Sequence, residues 1–187
     1  MFMLFSKLLY LRNPNSMIEI LKADVNDAEL IAKLGKQTFI ESHGHSASAE
    51  DIDVFVLKYY TTKAVAEEFE NTNVVYHLVK LNGLTVGFSK IEINSPNENI
   101  VEQAITKLER IYVLNDYLGQ NLGASLFKLN IELSKKNQNK GIWLHVWVEN
   151  EKAIRFYKKN GFKIVGAYDY QLSKTHSNPN HVMYLEY

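Results

Sequence analysis

The chain has 187 residues, and its 21 Lys plus Arg are balanced by 21 Asp plus Glu, so the formal net charge is zero. That length supports one domain with a substantial core, and the balance lacks the basic excess expected of a nucleic-acid-binding protein. Cysteine is absent, which excludes disulfides, thiolate metal sites and a cysteinyl acyl intermediate, and fits a reducing, cytoplasmic setting.

The first sixteen residues, MFMLFSKLLYLRNPNS, are apolar but broken by Lys7 and Arg12, and are too short to span a bilayer. They read as an N-terminal extension (1–16) ahead of a domain at 17–187; a membrane-touching or partner-binding amphipathic segment is the other reading. Residues 17–23 alternate as a strand. Asp24 is placed to cap a helix over 25–42 that buries Ala28, Ile31, Ala32, Leu34, Thr38 and Phe39. Ser48 opens a second helix through Ile52, Phe55, Val56 and Tyr59, and Thr62 a short third. Strands at 74–80 and 84–93 flank Asn82-Gly83, the pair that favours a type I′ hairpin turn. A polar loop leads to a strand at 105–114, a second loop to a helix at 120–138, and then come strand 141–148, helix 150–160 and strand 162–169. A polar loop with His176, Asn178 and Pro179 precedes a last strand at 181–186. Hairpins followed by β-α-β crossovers predict an α/β (α+β) fold, one mixed sheet with helices on both faces.

The feature with most chemistry is Tyr117-Leu118-Gly119-Gln120-Asn121-Leu122-Gly123-Ala124, between a strand and a long helix. A helix start presents unpaired N–H groups and a dipole that favour an anion, and glycines let a phosphate approach the backbone. Turn and packing glycines are the plain alternative. The segment resembles the acyl-CoA loop of GNAT enzymes, (Gln/Arg)-x-x-Gly-x-(Gly/Ala). Leu118 falls at the Gln/Arg place, Asn121 at the first Gly and Gly123 at the last position. Asn tolerates a left-handed backbone, so the loop shape is kept; the apolar Leu118 predicts weaker CoA affinity.

LERIYV at 108–113 and IWLHVWVENEKAIRFYKKNGF at 142–162 resemble the PaiA-type polyamine acetyltransferases of the GNAT superfamily, whose signature includes N-E-x-A-x-x-F-Y-x-x-x-G-F. The resemblance covers 17–187. It implies the GNAT fold: a mostly antiparallel sheet of about seven strands, splayed between the fourth (105–114) and fifth (141–148). It also implies acetyl-CoA as cosubstrate, no metal, and direct acetyl transfer in a ternary complex to a primary amine such as spermidine or spermine.

The resemblance further implies that the main chain of Ile111, Tyr112 and Val113 receives the pantetheine arm like an added strand. Leu118, Gly119, Gln120, Asn121, Leu122, Gly123 and Ala124 would hold the diphosphate, with Asn150, Ala153 and Tyr157 completing the cofactor site. Asn150 and Tyr157 are seven apart and so share a helix face. The Tyr157 phenol would protonate the leaving thiolate; a plain N-cap and a half-buried tyrosine are the other reading. An alkyl ammonium with pKa roughly 10.4 is about one part in 2,500 free amine at pH 7, a handicap of roughly 4.6 kcal/mol. Glu109 is the candidate base, or else an ion-pair partner of Arg110. Glu41, Glu92 and Tyr168 (with Tyr170) are candidate contacts to a cationic substrate. The His43-x-His45 pair reads as a loop feature without metal-ligand spacing. The expected partners are a small-molecule amine, no nucleic acid and no integral membrane segment, with a homodimer left open. Acetylation of a protein N-terminus, amino acid or antibiotic, or a non-catalytic acyl-CoA sensor, are the alternatives.

Overall fold

The computed structural model describes residues 17–187 and, as backbone only, residues 7–10. One sheet runs in the order β1 (Lys7–Tyr10), β2 (Met17–Lys22), β3 (Val74–Leu81), β4 (Leu84–Glu92), β5 (Thr106–Val113), β6 (Gly141–Trp147), β8 (Ser177–Glu186), β7 (Lys163–Gln171). Every neighbouring pair is antiparallel except β5–β6. Seven strands start at or after Met17, as expected. The eighth, β1, belongs to the extension and pairs with β2. The rest of 1–16, and with it the amphipathic-segment reading, lies outside the described residues.

Helices α1 (Ala28–His43), α2 (Ala49–Tyr59) and α3 (Thr62–Glu68) cover one face through Ile31, Phe39, Phe55, Val65, Tyr76 and Phe88. Helices α4 (Leu122–Lys136) and α5 (Glu151–Lys159) cover the other through Leu108, Phe127, Leu144, Tyr157 and Phe162. Asp24 caps a 3-10 turn at Val25–Asp27 rather than α1 itself, in a reciprocal capping box with Asp27. Asn82 and Gly83 take φ of 51° and 83°, the left-handed pair that a two-residue hairpin needs.

Two irregularities position the site. Strands β5 and β6 pair only at Thr106 with Ile142 and Lys107 with Trp143, then part; the β6-facing edge of β5 from Leu108 onward is therefore unpaired. Between β4 and β5 the register slips, Lys90 facing Arg110 but Ile91 facing Leu108, so Glu109 is the extra residue of a bulge. The bulge breaks the two-residue alternation. Leu108 and Ile111 pack toward α4 and α5, while the consecutive Glu109 and Arg110 both turn to the α1–α3 side, among Phe39, Phe55 and Tyr60.

The segment read as a polar loop before 181 is the start of β8, seated between β6 and β7. Pro179 lies opposite Asp169 and its carbonyl accepts from Val148 N, so its missing donor costs the ladder little. Asn178 and Asn180 are buried there, where hydrophobic residues mark most interior strands.

Candidate active site

The parted strands open a cleft of about 790 Å³ on the α4–α5 side and an inner cavity of about 150 Å³ on the α1–α3 side. Both are lined by Ile111 and Tyr112 of β5, Trp147 of β6, Asn150, Ala153 and Tyr157 around α5, and His43 of α1. The two spaces therefore meet where the sheet opens.

The outer cleft ends at the start of α4. Asn121 takes φ 61° and Gly119 φ 80°, so Asn121 supplies the left-handed turn in place of the usual glycine. The first helical hydrogen bond runs from Ser125 N to Asn121 O; the amides of Leu122, Gly123 and Ala124 precede it and are the orphan donors of the first turn. A Cβ built on Gly123 meets nothing within 4 Å, so this glycine opens onto the cleft. Leu118, Gly119, Asn121, Leu122, Gly123 and Ala124 line the cleft, and the exposed Gln120 does not. An anionic diphosphate fits these amides, and an extended arm fits the unpaired edge at Ile111–Val113.

Asn150 is the N-cap of α5, its Oδ1 accepting from Ala153 N at 3.1 Å. The capping and binding readings are compatible, because the side-chain amide N–H groups are left over on a residue that lines both spaces. Tyr157 is buried at its ring and its hydroxyl has no hydrogen-bond partner among the described residues. Burial pushes its phenol well above the usual value, so it stays protonated throughout the physiological range.

Glu109 lines the inner cavity. It pairs with Lys107 at 2.5 Å and not with Arg110, whose two guanidinium nitrogens each lie 3.0 Å from a Glu68 oxygen. Burial alone would raise the Glu109 carboxyl, but Lys107 and then Lys90 outweigh it and hold the pKa below the ordinary value. A carboxylate held low is a weaker base and a persistent negative charge.

The expected substrate acids do not converge. Glu41 accepts hydrogen bonds from Asn115 N at 3.0 Å and Gln37 Nε2 at 2.9 Å, tying α1 to the turn after β5. Glu92 faces Lys107 at the far end of the β4–β5 ladder and bonds Asn71 and Ser95. Tyr168 is exposed and stacks on His145, ring centroids 4.2 Å apart, outside the cavity; Tyr170 is the one that lines it. The sequence reading set His43 and His45 aside as a loop pair, whereas His43 ends α1 and both rings meet Trp147, 5.2–6.1 Å apart, at the mouth; it missed Trp147, and Asn178 and Asn180 at the inner wall. Among the described residues no cluster of His, Asp or Glu could hold a metal ion, and no helix is long and apolar enough to cross a membrane.

Comparison with known proteins matches residues 39–162 to the acetyltransferase (GNAT) family model. An uncharacterized N-acetyltransferase of Lactobacillus delbrueckii subsp. lactis is 24% identical over 77% of this chain and 83% of its own. A spermidine N(1)-acetyltransferase of Thermoplasma acidophilum is 25% identical over 79% of this chain and 89% of its own. The crystal structure of the PaiA N-acetyltransferase from Thermoplasma acidophilum, in complex with coenzyme A, superposes with a TM-score of 0.72 at 21% identity, covering 91% of this chain and 99% of that one.

Proposed function

Since the chain belongs to the GNAT family of acetyltransferases and takes acetyl-CoA as cosubstrate, we propose that it moves the acetyl group directly to a primary amine held in the inner cavity. The observation that carries this is the meeting of the two spaces at the opened sheet, with Ile111, Tyr112, Asn150 and Tyr157 belonging to both. The thioester, reaching in along β5, and the amine, coming from the α1–α3 side, are brought together there. A β5 amide polarises the thioester carbonyl, Asn150 bonds the arm, and Tyr157 protonates the departing thiolate. The Glu109 carboxylate attracts the cationic amine into a cavity walled by Tyr60, Tyr112, Tyr170 and Trp147. The lack of cysteine fits direct transfer and a cytoplasmic setting.

A polyamine is the first acceptor to test, on the strength of the name carried by the Thermoplasma relative. With Glu41 and Glu92 engaged elsewhere, Glu109 is the carboxylate the cavity offers, so a terminal aminoalkyl group is the part bound. A thiol-release assay with spermidine, spermine, monoamines, amino acids, aminoglycosides and peptides decides it. Spermidine and spermine ahead of the others supports the polyamine reading, and preference for peptides removes it. No turnover with any amine, despite CoA binding, would leave an acyl-CoA sensor.

Tyr157→Phe is expected to lower kcat roughly 10- to 100-fold with little change in KM for acetyl-CoA, because the lost proton matters only as the C–S bond breaks. Steady-state kinetics check it; an unchanged kcat ends the acid role.

A further inference from the structure

We propose that His43 is the catalytic base of this reaction, its Nε2 accepting the proton that the attacking amine sheds. The inference rests on the acetyl-transfer reading above and on the hydrogen bonds at the end of α1. His43 Nδ1 lies 2.7 Å from Ser42 Oγ. Ser42 Oγ in turn donates to Thr38 O at 2.7 Å, with Phe39 O at 3.3 Å. A hydroxyl has one proton. With that proton committed to the helix backbone, Ser42 can only accept from His43, so Nδ1 carries the hydrogen and Nε2 keeps a lone pair.

The ring is held in place. It stacks on Phe39 with centroids 5.0 Å apart and planes 10° apart, meets Tyr112 edge-on at 6.2 Å, and lies 6.1 Å from Trp147. Its Nε2 has no partner among the described residues, and the residue borders both the cleft and the inner cavity. The titratable and charged groups that border the same two spaces include His45 in the following loop, Glu109, Arg110 and Tyr112 on β5, Glu149, Glu151 and Lys152 around the start of α5, and Tyr157 on α5. Burial, and then His45, hold the His43 pKa at about 4, so the imidazole is neutral at pH 7 and, although its basicity is lowered as that of Glu109 is, its Nε2 is unprotonated and unpartnered. Glu109, by contrast, is already engaged by Lys107.

The free amine adds its lone pair to the thioester carbonyl carbon, and the nitrogen, now positively charged, passes a proton to His43 Nε2. The C–S bond breaks and the thiolate takes the Tyr157 proton. Solvent returns a proton from the imidazolium to the phenolate, leaving an amide and the free thiol.

Kinetics of His43→Ala and His43→Gln, with the amine returned by the panel, test the role. Both are expected to lose roughly 100-fold in kcat while KM for acetyl-CoA stays within about threefold, and free imidazole is expected to restore part of the His43→Ala rate. A kcat within about threefold of wild type, or a loss that imidazole does not relieve, overturns the proposal. Nitrogen-15 NMR of the full chain at pH 7 provides a check that needs no substrate. The expected form is neutral with hydrogen on Nδ1, and hydrogen on Nε2 or an imidazolium overturns the proposal. If no amine is turned over by the wild type, it is the acetyl-transfer reading that fails, and the tautomer is still decided by the spectrum.

Discussion

Gly123→Asp should abolish useful acetyl-CoA binding, weakening it about a thousandfold (about 4 kcal/mol), while the protein remains folded. The two halves of this result have separate causes. A Cβ at Gly123 meets nothing within 4 Å, so the substitution strikes no neighbour. An acid in the first turn of α4 also complements the helix dipole, worth roughly 0.3–1 kcal/mol. The melting temperature should hold or rise slightly. The same carboxylate, however, enters the space that the Leu122–Ala124 amides and the left-handed Asn121 shape for an anion. Like charges about 4 Å apart at an effective dielectric near 20 repel by about 4 kcal/mol, which sets the size of the effect. Gly123→Ser, of similar bulk without charge, should cost far less. Titration calorimetry with coenzyme A measures both; wild-type affinity in Gly123→Asp would place the diphosphate elsewhere.

Features set by single residues were legible in the sequence. Asn82-Gly83 needs only its own φ angles to make a hairpin, and Asn121 only its tolerance of the left-handed region to stand in for glycine. Asn150 caps α5 through a bond three residues long. Features set by pairing were not legible. The bulge at Glu109 exists because β4 and β5 slip by one residue, and nothing within LERIYV marks where alternation fails. Glu92 carries a plausible charge on a plausible strand, but which end of the ladder faces the cleft is a property of the sheet. Asn178 and Asn180 look like a turn because polar alternation beside a proline reads as loop; insertion of β8 between two strands buries them. His43 closes a helix, where a basic side chain is common, and only the packing of α1 against the opened sheet brings it to the site.

Arg110→Met should destabilise the fold by about 3–5 kcal/mol, the usual result of removing one partner from a buried ion pair. Arg110 sits at the bulge with its guanidinium gripping Glu68 at 3.0 Å through two nitrogens, and Glu68 also takes Lys90 at 3.0 Å and the Tyr76 hydroxyl. Methionine preserves the apolar stem, so the loss comes from the charge. Lys90 remains and favours the lower end of the range. Burial pushes the Glu68 carboxyl upward, but Arg110 and then Lys90 outweigh it, so its pKa lies below the usual 4.5. A carboxyl depressed in the folded state contributes stability that is fully present above its unfolded pKa and is lost as pH falls through the folded value. Wild-type stability should therefore fade only below about pH 4.5 on this group's account. Without Arg110, burial gains weight and the folded pKa rises toward or past the unfolded value, so the variant has less stability to lose on acidification and its gap from wild type should narrow as pH falls. Urea unfolding of both proteins from about pH 4 to pH 7 reads this directly, as a stability gap that changes with pH. Adding Glu68→Gln to Arg110→Met removes the carboxylate left behind and should recover part of the loss, with a gap from wild type that stays flat between about pH 5 and pH 7. Parallel curves for the single variant and wild type would mean that the Glu68 carboxylate does not depend on Arg110.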